Sequence, residues 1–348
     1  IKKTLQYKIT EKDQGKTVEQ FKKQRLFPPS GGKLRNSPTG LTIGGELAFT
    51  IHRLQAGEIL IATLEEENSQ NIVPVELPLN IVYEDEDILV VNKDAGVPIH
   101  PSQGHFDHTL ANAVAWYYQS KGQTLVYRAI NRLDRDTTGL LVIAKHLLAG
   151  CILSDQMLNR QIHRQYRAIV CGKTEKEGII DAPIGRAEDS TVLRRIDFEH
   201  GETARTRYRL LSYDEEKDLS YISLKLDTGR THQIRVHMSY IGHPLPGDFL
   251  YNPDYRYISR QPLHSYGLEF IHPLTGEPLS FTAHLPADMA ALVKEPELTS
   301  TAGLGIMIFN GPGSHLAPAK TYISCTDQYP AFFTGSRHTG ITGQCLPL

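Results

Sequence analysis

Residues 131–145 read NRLDRDTTGLLVIAK, and this stretch decides the fold. Its second half is a continuous apolar run, which is typical of a buried strand. Its first half places two carboxylates, Asp134 and Asp136, beside two guanidinium groups, Arg132 and Arg135, in a loop at the beginning of that strand. Reactive groups are concentrated on loops that a rigid scaffold positions. The structural alternative is a turn closed by Asp and Thr side chains that bond to their own backbone.

The segments on both sides of this stretch predict helices and strands in an irregular order. Helical spacing occurs in TLANAVAWYYQS and LAGCILSDQMLNRQ, and strand patterns occur in IVYEDEDILVVNK, QYRAIVCG, ARTRYRLLSY, LSYISLKLD and residues 263–270. Because the helices do not alternate regularly with the strands, we predict an α+β domain. Its sheet should be mixed and largely antiparallel, flanked by helices and loops.

The chain divides by composition into four parts. Residues 1–70 predict a small α+β unit, with a helix over residues 11–26 and short strands in LTIGGELAFT and EILIATLEE. We predict a linker at residues 71–79 and the main domain at residues 80–296. Residues 297–348 carry little charge and are rich in Gly, Thr and Pro; we interpret them as a tail of uncertain order and assign them no function.

Composition places limits on the class of protein. Hydrophobic residues make up 40% of the 348 residues and charged residues 22%, which is ordinary for a globular protein. No apolar run is long enough to span a membrane, and the first residues lack the apolar core of a signal peptide, so we expect a cytoplasmic protein with no membrane partner. The four cysteines form no C-x-x-C pair, which disfavours a zinc ribbon or a redox dithiol. Free thiols are expected, although a Cys325–Cys345 pair stays open.

Net charge argues mildly against a nucleic-acid partner. The formal value is −2, whereas proteins that neutralise phosphates usually have a basic excess. The arginines are unevenly spread, however, with three each in residues 128–135, 160–167 and 203–209. These clusters could be solvated faces or local phosphate-binding surfaces.

A second motif, DTGRTHQIRVH, occupies residues 227–237. Thr228 or Thr231 could cap a helix, with His232 and Arg235 on a face other than its apolar one. A guanidinium fixed on a helix is what a buried carboxylate needs to stay ionised at neutral pH. The alternative is an amphipathic surface helix with ordinary charges.

A third motif, RQYRAIV, occupies residues 164–170 and predicts a strand. The Tyr166 ring could offer a flat face on which a base stacks, an interaction of roughly 1–3 kcal/mol per base. It could equally be a core aromatic residue whose hydroxyl is hydrogen bonded.

Taken together, NRLDRDTTG, RQYRAIVCG and TGRTHQIRVH resemble the signature of the RluA-type family of RNA pseudouridine synthases. The flanking VVNKDAGVPIHPS, HPLPGDFLY and LHSYGLEFIHPLTGEPLSF are also similar to that family, so the resemblance covers residues 75 to 290. It implies the pseudouridine synthase fold for the main domain. Residues 10–68 more loosely resemble an S4-like RNA-binding domain, although PPSGGKLRNSPTG interrupts the helix pair that such a domain would have.

The resemblance implies roles for four residues. Asp134 matches the essential aspartate of the family, and Arg235 matches the arginine that pairs with it. Tyr166 matches the aromatic residue against the target uracil, and Arg132 matches the arginine that fills the space left by the flipped nucleotide. Further candidates for RNA contact are Arg135, Arg164, Arg230 and His232. Chemically mild departures from the family pattern are Asn131 for His, Thr138 for Ser and Arg164 for Lys.

The resemblance also implies the reaction, which isomerises uridine to pseudouridine in structured RNA without a cofactor or metal. Ribosomal RNA is favoured over transfer RNA, because an S4-like domain often accompanies synthases of the former class; a monomer is the default expectation. Whether Asp134 attacks covalently or acts as a base stays open. One alternative is a non-catalytic RNA-binding protein on the same scaffold. Another is a metal hydrolase that uses His100, His105 and His108.

Overall fold

The computed structural model describes residues 2–21, 40–65 and 72–293, except 103, 105 and 189. The chain divides into two compact units, residues 1–309 and 310–348, and every described residue belongs to the first. The tail predicted at residues 297–348 lies outside the described residues, as does PPSGGKLRNSPTG apart from Gly40. No helix in the described ranges is both long enough and apolar enough to span a bilayer.

The amino-terminal unit is a four-stranded antiparallel sheet in the order β1-β4-β2-β3. Its elements are β1 (Lys2–Lys8), α1 (Val18–Phe21), β2 (Leu41–Ile43), β3 (Glu46–Leu47) and β4 (Ile59–Glu65). The prediction of one continuous helix from residue 11 is wrong, because a short 3-10 turn precedes α1 and Gly15 separates them at φ +82°. Strand β1, at an edge of this sheet, was not predicted.

The main domain is built on one large sheet. Within the described residues, nine strands form this sheet in the order β5-β6-β7-β14-β8-β13-β12-β9, with β15 also paired to β14, while β10 and β11 form a separate ribbon. The elements are β5 (Ile81–Glu84), β6 (Ile88–Lys93), α2 (Leu110–Ser120), β7 (Thr138–Ala144), α3 (Leu147–Leu158), β8 (His163–Cys171), β9 (Glu177–Asp181), β10 (Ile184–Arg186), β11 (Arg194–Ile196), β12 (Arg205–Asp214), β13 (Leu219–Leu226), α4 (Gln233–Tyr240), β14 (Leu263–Ile271), β15 (Pro278–Thr282) and α5 (Ala287–Ala290). Apart from the parallel β7–β14 pair, the pairings are antiparallel, which confirms the predicted α+β class.

Both faces of the central strands are buried. Leu89 and Leu141 point to the face that carries α2 and α4, whereas Ile88 and Leu140 point to the face that carries α3. This two-sided burial explains why β6 and β7 are continuous apolar runs instead of alternating ones. The charged loop of residues 131–137 therefore emerges from a strand that is packed on both sides.

Gly139 sets the position of that loop. It has φ +110°, and a Cβ there would lie 2.3 Å from the backbone oxygen of Ser265, so only glycine allows β7 and β14 to approach this closely. The Ser265 hydroxyl donates to the Leu140 carbonyl at 2.9 Å, and Thr138 Oγ1 lies 2.8 Å from His264 Nδ1. The junction of the two strands thus fixes the point at which the loop leaves the sheet.

Candidate active site

Asp134 and Arg235, 101 residues apart in sequence, are in direct contact. Arg235 Nη1 donates to Asp134 Oδ2 at 2.9 Å. The Asp134 side chain is 27% exposed, and that of Arg235 is 1% exposed. The carboxylate is therefore open to a ligand on one side and held by a fixed cation on the other.

Arg235 is locked in place by a second carboxylate. Its Nε and Nη2 donate to the two oxygens of Asp248, both at 2.7 Å, and Asp248 is completely buried. Asp248 Oδ1 also accepts from the backbone N–H of Leu250 at 3.0 Å. Burial opposes the charge of Arg235, but Asp248 and Asp134 outweigh it and raise the pKa of the guanidinium above its ordinary value. No role was predicted for Asp248. The sequence feature that could have indicated one is the Gly-Asp pair in HPLPGDFLY.

His232 lies beside Asp134, at the start of α4. Its Nδ1 is 3.0 Å from the Tyr251 hydroxyl, and its Nε2 is 3.9 Å from Asp134 Oδ1. Burial lowers the pKa of His232, although Asp134 opposes the shift, so the ring is neutral at pH 7. The proposed threonine cap is wrong: His232 occupies the N-cap position at φ +58° with no side-chain cap, and Thr228 instead donates to Gln233 Oε1 at 2.8 Å.

Lys93 and Asn131 support the loop that carries Asp134. The buried Lys93 ammonium donates to the carbonyls of Asp94, Val97 and Arg135 at 2.7–2.9 Å. Burial lowers the pKa of Lys93 to about 7, although Asp136 and Asp134 oppose the shift. Asn131 Oδ1 accepts from the Val142 N–H at 3.0 Å, which ties the loop to β7. Both residues stood in quoted motifs, but nothing in the motifs indicates what their side chains bind.

Tyr166 lies in the core beneath the site. Its side chain is almost fully buried and belongs to the apolar cluster that includes Leu133 and Ile234, the sequence neighbours of Asp134 and Arg235. Tyr166 of the third motif thus lies in the same apolar cluster as residues of the first and second motifs. An aromatic ring in this position can form the floor of a small pocket.

Arg132 and Arg135 are exposed on the same loop. Arg135 pairs with Asp136 at 2.8 Å, and its guanidinium lies 5.6 Å from the ring centre of Phe249. The Arg235 guanidinium lies 5.7 Å from that same ring, which is 49% exposed. An exposed aromatic ring between two cations therefore lies at the mouth of the site.

The other two predicted RNA contacts lie at the loop before α4. The Arg164 guanidinium packs against Gly229, and its buried Nε has no hydrogen-bond partner among the described residues. Arg230 pairs with Glu202, and its Nε donates to the Thr203 carbonyl at 3.1 Å. Among the described residues, the arginines at 205 and 207 likewise pair with acidic neighbours on the sheet, as a solvated face would.

The loop histidines gain no support as metal ligands. The His100 ring packs edge-to-face with Tyr127 at 5.0 Å, and the exposed His108 pairs with Asp107; His105 lies outside the described residues. Within the described part of the chain, the one group of three potential ligands is instead Asp85, Asp87 and His272.

The chain is similar in sequence to known proteins. The sequence profile described as RNA pseudouridylate synthase matches residues 87–240. The RNA pseudouridine synthase YjbO of Bacillus subtilis is 43% identical over 73% of this chain and 89% of its own length. The chain belongs to the RNA pseudouridine synthase family. The ribosomal large subunit pseudouridine synthase D of Vibrio cholerae is 39% identical to this synthase over 69% of the chain and 78% of its own length.

The fold comparison agrees with the family. The solved structure of human RNA Pseudouridylate Synthase Domain Containing 1 matches the synthase with a TM-score of 0.51 and 28% identity. The match covers 63% of this chain and 86% of the human one. The predicted family, fold and enzyme class are therefore confirmed: the protein is a pseudouridine synthase, an isomerase. The S4-like resemblance of the amino-terminal unit stays a prediction.

Proposed function

We propose that this synthase converts specific uridines of large-subunit ribosomal RNA to pseudouridine and that Asp134 is the reacting carboxylate. The observation that carries the proposal is the contact between a partly exposed Asp134 and a buried Arg235. The ribosomal target is supported by the names of relatives from Vibrio cholerae and Nitrosomonas europaea, which are ribosomal large subunit pseudouridine synthases.

The chemistry is balanced without a cofactor. The C1′–N1 bond of uridine breaks, the uracil rotates, and C1′ bonds to C5; C5 loses its proton to solvent, and N1 gains a proton in its place. No electrons are gained or lost, so neither a redox group nor a metal is required. Asp134 must be ionised either to attack C1′ or to take a proton from the sugar, and the adjacent Arg235 guanidinium holds the carboxylate in position.

Access to the glycosidic bond requires the nucleotide to leave its stack. This step costs a few kcal/mol, and least for an unpaired loop nucleotide. In the proposed complex, Tyr166 contacts the flipped uracil from the core side and Arg132 occupies the space that the nucleotide vacates. The exposure of Arg132 on the loop of Asp134 supports this role.

The proposal is tested with Asp134→Asn, assayed by tritium release from C5 of labelled uridine in ribosomal RNA and, separately, in transfer RNA. We expect the variant to remain folded and to lose at least about a thousandfold in turnover, because amide and carboxylate differ in nucleophilicity and basicity. The matched control is Asp136→Asn, which removes a carboxylate two residues away and should keep turnover within about tenfold of wild type.

Normal turnover of Asp134→Asn would refute the role of this residue. Tritium release from transfer RNA alone would refute the ribosomal target while leaving the chemistry in place. Release from neither RNA by the wild-type protein would likewise refute the ribosomal target.

A further inference from the structure

The two-stranded ribbon of β10 and β11 packs against the catalytic helix. Ile184 on β10 lies in an apolar cluster with Val236 of α4 and Ala204. The Arg194 backbone N–H on β11 donates to the Tyr251 hydroxyl at 3.1 Å. The same hydroxyl lies 3.0 Å from His232, so a short chain of contacts joins the ribbon to the side chain next to Asp134.

Two arginines face each other across this ribbon. Arg186 and Arg194 are direct cross-strand partners, two residues away from the Ile184–Ile196 pair. Because strand side chains alternate, the arginines share the ribbon face of the two isoleucines, which is the face turned towards α4. Like charges directly opposite each other destabilise a strand pair. Such a pair is expected where an anion from outside the protein neutralises it.

The arginines on the two faces of the ribbon differ in their partners. Arg195, on the opposite face, pairs with Glu188 at 2.7 Å. Arg194 Nη1 binds the carbonyls of Val192 and Leu193, both at 3.2 Å. Arg186 is exposed, and no other described residue forms an ion pair with it. The face towards the active site thus keeps positive charge that the described part of the protein does not neutralise.

Arg194 also affects the electrostatics of the active site. Burial is the main cause of the lowered pKa of His232, and Arg194 is among the cations that lower it further. The arginine face of the ribbon is therefore within electrostatic range of the residue that touches Asp134. A group bound on this face would lie at the rim of the site.

We propose that the Arg186–Arg194 face of the β10–β11 ribbon binds a backbone phosphate of the RNA, next to the target uridine, and positions that nucleotide over Asp134. This inference rests on the proposed function, because it takes RNA as the substrate. Guanidinium groups bind phosphate oxygens through paired N–H donors, and a phosphate between the two arginines removes their mutual repulsion. A chain with a net charge of −2 also needs its cations concentrated where RNA binds.

The first experiment measures RNA binding as a function of salt concentration, with a short single-stranded oligouridylate as the probe. Arg186→Gln should weaken binding about tenfold at low salt and reduce the slope of log K against log salt by about 0.7, the contribution of one phosphate contact to a single strand. Arg195→Gln is the matched control on the opposite face of the same ribbon and should leave affinity and slope unchanged. Arg186→Lys keeps the charge and should restore the slope.

The second experiment measures tritium release from ribosomal RNA by the same three variants. Arg186→Gln should raise KM about tenfold and change kcat less than twofold, because a phosphate contact positions the RNA and does not take part in bond breaking. Arg195→Gln should match the wild type in both parameters. Far-UV circular dichroism of each variant verifies that the ribbon substitutions leave the fold intact.

The outcomes separate the two proposals. If Arg186→Gln and Arg195→Gln give the same slope and the same KM, the ribbon proposal is overturned, whatever the enzyme modifies. If the wild-type protein forms no pseudouridine in ribosomal RNA but only Arg186→Gln flattens the salt slope, the proposed function fails and the ribbon remains an RNA-binding element.

Discussion

The Asp134 cluster and the Asp85 cluster both join aspartates to histidine, and they differ in how fully their carboxylates are hydrogen bonded. Asp134 is 27% exposed and Asp85 is 24% exposed, so exposure does not separate them. Asp85 accepts from the backbone N–H groups of residues 87 and 88, from the Tyr83 hydroxyl and from His272. The described residues give the Asp134 carboxylate one direct hydrogen bond, from Arg235. A carboxylate with acceptor capacity left over can react, whereas one that is fully bonded holds a turn in place.

The histidines of the Asp85 cluster reinforce this difference. His272 Nδ1 accepts from the backbone N–H of Leu274 and Thr275, and His146 Nδ1 accepts from that of Ala149. Their Nε2 atoms then carry the protons and donate to Asp85 and Asp87 at 2.9 Å. These hydrogen bonds tie the β5–β6 turn to α3 and to the β14–β15 turn.

The largest effect expected on stability comes from removing the support of the catalytic pair. Asp248→Asn leaves the buried Arg235 with Asp134 as its one carboxylate partner, and we expect a loss of about 3 kcal/mol in the free energy of unfolding. Turnover should fall more than about a hundredfold, because the guanidinium that orients Asp134 is no longer fixed. Urea denaturation and tritium release measure the two effects. Asp254→Asn, which breaks an exposed pair with Arg256, is the control and should change neither quantity measurably.

Asp85→Asn, by contrast with Asp248→Asn, should lower stability without lowering kcat. We expect about 2 kcal/mol, because the amide cannot accept all the hydrogen bonds that the carboxylate accepts. A fall in kcat as large as that of Asp248→Asn would show that the two clusters do not have separate roles.

The pH dependence of stability sharpens the same comparison. Burial alone would raise the pKa of Asp85, but hydrogen bonds from His272, the backbone and Tyr83 outweigh it and hold the pKa well below its usual range. A carboxylate whose pKa is lower in the folded state stabilises the fold above its unfolded pKa of about 3.9 and loses that contribution as pH falls. Acid titration of unfolding between about pH 5 and pH 2 should therefore be steeper for the wild type than for Asp85→Asn. Equal slopes would contradict this assignment.

The smallest expected effect concerns the aromatic ring at the mouth of the site. Phe249→Ala should raise KM for RNA about tenfold, which corresponds to losing one stacked base. Phe249→Tyr should retain the wild-type KM. Leu158→Ala removes an even more exposed apolar side chain from the end of α3, on the other face of the sheet, and should leave KM unchanged. A common response of Phe249→Ala and Leu158→Ala would mean that the ring makes no specific contact.

Much of the main domain could be predicted because its signals are local. The strands and helices of residues 81–171 follow from apolar runs and helical periodicity, which burial on two faces of a sheet imposes directly on the sequence. The amino-terminal unit was harder, because β1, with the sequence KKTLQYK, has no continuous apolar run and is stabilised by pairing with β4. The helix predicted from residue 11 ends early where Gly15 turns the chain.

The sequence by itself determined the family, the α+β class and the residue types that carry the chemistry, because each of these depends on short motifs and their order. It could not determine that Asp248 fixes Arg235, that His232 faces Asp134, or that Arg186 stands opposite Arg194. Those arrangements depend on which strands pair and in which register, and register follows from the packing of the whole sheet. Whether a carboxylate is reactive or structural was decided by the tertiary structure, because it depends on how many donors the folded chain brings within hydrogen-bond distance.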